Sequence, residues 1–252
     1  MDLQLREKVY VLTGATKGLG KATAAALVAE GARVVVSGRS QHNVDAACED
    51  LGTEAAVGVA ADNADPATAE RLVATALSHW GRLDGALISV GGPPPGTALE
   101  SEENDWRSSF ESIFLGALRL ARAAAAAFDN GGSIVVVLSS SVHSPIPGLA
   151  ISNGLRPGLA GLAKNLADEL GPQGVRVNGM LPGSIDTERW RSLQEATGQP
   201  EAARRRTEQS IPLRRIGTPE EFGRLAAIIL SPAASYLTGV MIPVDGGALR
   251  AF

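Results

Sequence analysis

The chain lacks the means to cross-link itself and an excess of charge of either sign. Cys48 is the one cysteine among 252 residues, so neither an internal disulfide nor a cysteine zinc cluster is available, and a reducing compartment suits it. Basic residues do not dominate: 23 Lys and Arg stand against 27 Asp and Glu, a net charge of −4, without the basic signature of a nucleic-acid binder. No stretch approaches the roughly 20 apolar residues of a membrane span. The polar, mixed-charge start Met1–Lys8 does not read as a signal peptide. A cytoplasmic protein with no membrane or nucleic-acid partner and no metal site is therefore expected. Aromatic residues are scarce at 4%, with two tyrosines, so the core must be built from aliphatic side chains.

Aliphatics and glycine are plentiful: 44% of residues are hydrophobic and 29 are glycine. A chain of this length buries roughly 70–75% of its unfolded surface and needs no staples. Seven short apolar runs, 9–13, 33–37, 55–60, 86–89, 133–138, 175–181 and 241–244, alternate with helical patterns at 20–30, 43–51, 66–80, 102–128, 155–170 and 218–230. That alternation predicts an α/β fold of βαβ crossovers on a parallel sheet. Runs such as Ile134-Val135-Val136-Val137-Leu138 have no polar side, as expected of strands covered by helices on both faces. Gly31, Gly81, Gly131 and Gly171 fall where left-handed helix-closing residues belong. No linker, repeat or break in composition divides residues 1–252, which predicts a single domain. The alanine run 123–127 reads as a helix packed closely on a neighbour.

The first strand runs into Thr13-Gly14-Ala15-Thr16-Lys17-Gly18-Leu19-Gly20 and then into a helix. Small residues at a strand-to-helix turn let the backbone approach a pyrophosphate, and the helix N-terminus supplies free N–H groups and positive potential. A glycine-rich turn without a ligand is the plainer alternative. The spacing is Gly-x-x-x-Gly-x-Gly, and here the sequence resembles the short-chain dehydrogenase/reductase family over nearly its whole length. The same resemblance runs through Asp62-Asn63 after the third strand, Pro182-Gly183-Ser184-Ile185-Asp186-Thr187 after the sixth, and Tyr236-Leu237-Thr238-Gly239 leading to Val244-Asp245-Gly246-Gly247. It implies a single-domain, doubly wound Rossmann-type sheet of seven parallel strands. It also implies adenine binding at Asp62 and nicotinamide carboxamide binding by Pro182, Gly183, Ile185 and Thr187.

The second strand ends Val36-Ser37-Gly38-Arg39, with no carboxylate where an enzyme using NAD would bind the adenosine ribose. Arg39 and Lys17 can instead flank a 2′-phosphate, which favours NADP(H) over NAD(H). The alternative is that both side chains are simply solvated.

Members of the family use Ser, Tyr and Lys, with an Asn on the long preceding helix. Tyr and Lys stand four residues apart, on one helix face. In ungapped register the Ser falls on Ser139, but the Tyr position is Ser152, the Lys position is Arg156 and the Asn position is Ile113. The Asn-Asn-Ala-Gly segment reads Ile88-Ser89-Val90-Gly91. Neither Tyr10, inside the first strand, nor Tyr236, near the C-terminal turn, lies where it can substitute. An alcohol such as Ser152 titrates far above a phenol and makes a poor general acid or base. His143, four residues after Ser139, is a candidate proton donor. Arg156 can still hold ribose hydroxyls but cannot deprotonate. Pro157 beside it predicts that this helix starts late, because proline is tolerated in the first turn. The similar halohydrin dehalogenases also carry Arg here, but they lack the dinucleotide turn and keep the Tyr.

Gly92-Pro93-Pro94-Pro95-Gly96 either shapes a substrate wall or merely stiffens its loop. Residues 184–211 correspond to a mobile lid in relatives. Its Arg204, Arg205 and Arg206 are expected on a solvated face beside Glu201 and Glu208. Two functions follow: an NADP(H)-dependent oxidoreductase on a small carbonyl or alcohol, with an unusual proton donor, or a catalytically silent nucleotide-binding protein. The family also implies a homo-oligomer, a tetramer or dimer.

Overall fold

A computed structural model describes residues 2–250. Seven strands, β1 (Val9–Leu12), β2 (Arg33–Gly38), β3 (Ala56–Ala60), β4 (Gly85–Ile88), β5 (Gly132–Val137), β6 (Val175–Pro182) and β7 (Met241–Val244), form one sheet in the order β3-β2-β1-β4-β5-β6-β7. Every pairing is parallel. The strand order reverses direction between β1 and β4, and the crevice beyond the strand ends at such a point is where ligands bind in doubly wound sheets.

The strands alternate between two apolar cores. Val9 and Val11 face one side with Ile134, Val136 and Leu138, while Tyr10 and Leu12 face the other with Val135. The first core is closed by α3 (Thr68–Trp80), α5 (Gly116–Ala126) and α6 (Ala150–Leu170), the second by α1 (Gly18–Ala29) and α9 (Pro219–Leu230). Helices α1 and α9 touch backbone to backbone: a Cβ at Gly223 would lie 2.4 Å from the carbonyl oxygen of Ala22. Such small-residue contacts replace the aromatics the composition withholds. Truncating a fully buried side chain here, such as Leu27→Ala, is worth roughly 2–5 kcal/mol.

Several boundaries differ from the sequence expectation. Helix α6 begins at Ala150, not near Leu155, and Pro157 lies inside it. The proline removes one donor, but the turn before it is secured by other means. Ile151, Ser152, Leu155 and Arg156 are buried. The Asn153 side chain accepts from Ile146 N at 3.1 Å and donates to Ile146 O at 2.8 Å, and Ala150 N donates to Gly96 O at 3.1 Å.

The long helix at 102–128 consists of α4 (Glu103–Ser109), a π turn at Phe110–Leu115, and α5. Gly171 is right-handed, opening a short 3₁₀ turn, and the left-handed residue is Gly174. The segment at 184–211 forms α7 (Glu188–Glu195) and α8 (Pro200–Ser210), and α2 (Gln41–Leu51) completes the helices of the body.

Candidate active site

The turn after β1 is shaped by close backbone approach. Gly14 has φ 57°, and a Cβ on it would meet Ser89 O at 2.7 Å; one on Gly20 would meet Gly14 O at 2.4 Å. Thr13 ties this turn to the end of β4, its hydroxyl donating to Ser89 O at 2.8 Å and accepting from Ser89 N at 3.0 Å. Helix α1 opens with Lys17 as its N-cap and no side-chain cap, so the first-turn N–H groups of Gly18, Leu19 and Gly20 are offered to a ligand.

Thr16 packs on Gly38 at the end of β2, where a Cβ would lie 2.7 Å from its Cγ2. Arg39 follows, exposed and without a carboxylate partner among the described residues. Lys17 Nζ lies 3.0 Å from Glu188 Oε2 of the lid, both side chains being exposed.

The segment from Pro182 to Thr187 reaches the same place from β6. Gly183 N donates to Val244 O at 3.1 Å, and Asp245 leaves no room for a side chain at 183. Ile185 bridges to Gly217, and Thr187 caps α7 by accepting from Trp190 N at 3.2 Å. The Thr187 methyl group would be 3.4 Å from a Cβ at Gly18, so this segment leans on the turn after β1. Asp62 is exposed, with one carboxylate oxygen accepting from Ala64 N, and Asn63 packs against Gly116.

The residues expected at the proton-transfer positions lie at the end of β5 and on α6. Ser139, at the end of β5, accepts at Oγ from Ser141 N at 3.1 Å, which leaves its O–H to donate elsewhere. Ser152 is 7% exposed, one turn before Arg156 on α6, and its hydroxyl bonds to no other described residue. Arg156 is 5% exposed. Its fork is turned onto main-chain oxygens: Nη1 donates to Val137 O and Nη2 to Val90 O at 3.3 Å, while Nε has no partner. Burial pulls its pKa down to about 10, so it stays charged near neutrality.

Ile113, in the π turn, is buried in the first core. His143 is exposed at the end of a 3₁₀ turn, with no side-chain bond to Ser139 or Ser152. Tyr10 is buried, and burial first, then Asp84, drives its pKa up; Tyr236 is fully exposed. Neither tyrosine is in the cleft.

One contact had not been anticipated. Arg189, in the first turn of α7, donates Nη2 to Pro93 O at 2.7 Å and lies against Gly92, joining the lid to the proline loop. That loop is pinned at its other end, Gly96 N donating to Gly148 O at 2.7 Å. The expected solvated lid face is found: Arg204 pairs with Glu208 and Asp186, Arg205 with Glu201, and Arg206 is exposed. The hydrogen bond from Arg191, aided by Arg204, holds the Asp186 carboxyl below its usual pKa.

A family model described as enoyl-(acyl carrier protein) reductase matches residues 14–248. The chain is 38% identical over 257 residues to "Dehydrogenase/reductase SDR family member 4" of Bos taurus, covering 97% of this chain and 88% of the relative. It is 36% identical to the Oryctolagus cuniculus protein of that name, covering 97% and 94%. Among solved structures, the L-sorbose reductase of Gluconobacter frateurii complexed with NADPH and L-sorbose superposes with a TM-score of 0.94 at 28% identity, covering 100% of both chains.

Proposed function

The chain belongs to the short-chain dehydrogenase/reductase family and is an oxidoreductase, and from that premise we propose that it uses NADP(H) in preference to NAD(H), on a carbonyl or alcohol, with a proton donor other than tyrosine. The observation that carries this reading is the uncapped first turn of α1, set between Lys17 and Arg39 where no acid stands at the end of β2. These residues fit the coenzyme. The N–H groups of Gly18, Leu19 and Gly20, beyond the turn of Gly14 and Thr16, would hold its pyrophosphate, and Lys17 and Arg39 would hold its 2′-phosphate. Asp62 and Asn63 lie toward the adenine, Val90 and Gly91 along the crevice, and Pro182, Gly183, Ile185 and Thr187 toward the nicotinamide. The exposed Lys17–Glu188 pair is worth at most about 1 kcal/mol, so a doubly charged phosphate displaces Glu188 readily.

When bound, the coenzyme supplies or accepts the hydride. Ser139 donates its free O–H to the substrate oxygen. Arg156 fixes the ends of β4 and β5, and its remaining N–H groups would hold the ribose. Ser152 relays a proton from water, with exposed His143 as a second route. Replacing a tuned phenol in this way costs roughly 10² to 10⁴ in rate. We also infer assembly with copies of the same chain along α4–α5 and α6, where exposed Phe110 stacks on Phe114.

The test is calorimetric titration with NADPH and NADH followed by single-turnover mixing with a carbonyl panel. Tighter NADPH binding and slow hydride transfer are expected. Tight binding without transfer supports a silent nucleotide-binding protein, and no heat with either coenzyme overturns both.

A further inference from the structure

The lid carries several guanidinium groups, and most are spoken for. Arg191 lies 2.6 Å from Asp186, Arg204 reaches Asp186 and Glu208, and Arg205 reaches Glu201. Arg189 differs: it crosses to the far side of the cleft and bonds a backbone carbonyl, Pro93 O. No carboxylate among the described residues pairs with it, and partial burial pulls its pKa down. Of five N–H donors one is used, and four remain.

A cation drawn partly out of water without a counter-charge is disfavoured until an anion joins it. The same short segment is held from its other end by Arg156, on Val90 O, and Arg156 also has no carboxylate partner among the described residues. Residues 90–93 thus run between two cations at the strand ends, and such a cleft attracts anions. Arg156 is buried, with two of its five N–H donors already on carbonyls, whereas Arg189 is exposed, so one guanidinium is accessible to a substrate. That matches a single carboxylate, whose two oxygens fit the fork.

We propose that Arg189 receives the carboxylate of the substrate, so that the substrates are oxo acids, with the carbonyl at Ser139 and the acid group at the proline loop. This rests on the reductase reading above and names its substrate class. Gly92 is part of the device, because a Cβ there would lie 3.0 Å from Arg189 Nε and 3.3 Å from Nη2, so a side chain presses on the guanidinium and shifts it slightly.

The test is calorimetric binding of a panel of 2-oxo and 3-oxo acids and their methyl esters to the protein, with and without NADP⁺. Acids should bind more tightly than their esters. R189Q should weaken acid binding roughly 10- to 100-fold, as for loss of a hydrogen bond to a charged group, and leave ester and NADPH binding unchanged. G92A should act in the same direction, and R189K should restore part of the affinity. Equal binding of acids and esters across the panel overturns the proposal, as does an R189Q protein with the acid preference intact. A loss of NADPH affinity in R189Q also overturns it, by assigning the guanidinium to the coenzyme. Acid binding without NADPH oxidation counts against hydride transfer and leaves Arg189 in its place.

Discussion

Arg156 donates to the carbonyl oxygen of Val137, so this buried side chain of α6 is spent partly on joining strand ends. The same fork reaches Val90, and the two strands it spans, β4 and β5, frame the cleft between Ser139 and the proline loop. A lysine ammonium is a compact charge without a fork and cannot take both carbonyls in this geometry. The arginine therefore braces the site as well as charging it.

If the missing phenol is what limits turnover, restoring it should restore rate. The S152Y/R156K variant should reduce simple ketones with NADPH roughly 10² to 10⁴ times faster than the parent. R156K alone separates the two effects, because loss of the brace should lower the melting temperature without raising the rate. Folded S152Y/R156K that binds NADPH with no gain in turnover would show that the cleft no longer positions a carbonyl.

Coenzyme choice should follow charge at the end of β2. R39D places a carboxylate where a 2′-phosphate would lie, and the ratio of NADH to NADPH dissociation constants should fall by about 10- to 100-fold, the worth of one charge-assisted contact. K17A should act in the same direction and also release Glu188 from its ion pair. Fluorescence titration with both coenzymes measures this, and an unchanged ratio in both variants would remove the argument for NADP(H).

Much of this was readable from the sequence wherever a local rule and tertiary packing agreed. The strands are nearly continuous aliphatic runs, and Gly14 and Gly20 mark a turn that closes so tightly that a Cβ on either would strike backbone. Ser152 and Arg156, four apart, do share a buried face of α6. Reading failed where packing outvoted the local rule. Pro157 signals a first turn, yet the helix begins seven residues earlier because Asn153 braces Ile146 and the preceding turn is buried. Helices α7 and α8 carry few apolar residues, so no stripe announced them; their order comes from Thr187, Asp186 and the arginines around it. The Arg189–Pro93 bond joins residues 96 apart, and no pattern in either segment points to the other.

Asp84 gives a pH dependence. It is half-buried before β4, and burial alone would raise its pKa. Hydrogen bonds from Arg82, Val9 N and Lys8 outweigh this and hold it below the ordinary 3.8. A carboxyl with a depressed folded pKa adds stability in full above its unfolded value and loses it as pH falls through the folded value. The native protein should therefore lose stability on acidification below about pH 4. D84N should be less stable at pH 7 by roughly 1–3 kcal/mol and show a shallower acid slope. Urea unfolding across pH 3–7 tests this, and parallel curves for parent and D84N would place the acid sensitivity elsewhere.

Arg176, like Arg156, bonds several main-chain carbonyls, and here the consequence is stability. From β6 its Nη1 reaches Ile229 O at 2.9 Å and Leu237 O at 3.3 Å, and its Nη2 reaches Leu230 O at 3.3 Å and Ser231 O at 2.9 Å. Three of these oxygens, those of Ile229, Leu230 and Ser231, lie at the C-terminus of α9, whose last carbonyls have no partner within the helix, and a cation is favoured at that negative end; the fourth, Leu237 O, ties in the segment that follows. Burial lowers the Arg176 pKa, so the site holds a partly desolvated charge that only these dipoles compensate. R176A removes charge and donors together and leaves carbonyls without partners, which should cost roughly 2–4 kcal/mol in chemical denaturation. R176K keeps the charge but reaches fewer oxygens, and should fall between parent and alanine. Coenzyme affinity should stay at the parent value in both variants, because Arg176 stands at the start of β6 whereas the glycine turn and its open N–H groups follow the end of β1, at the opposite ends of the parallel strands. An R176A protein as stable as its parent would mean that water serves these carbonyls equally well and that the α9 terminus needs no side chain to close it.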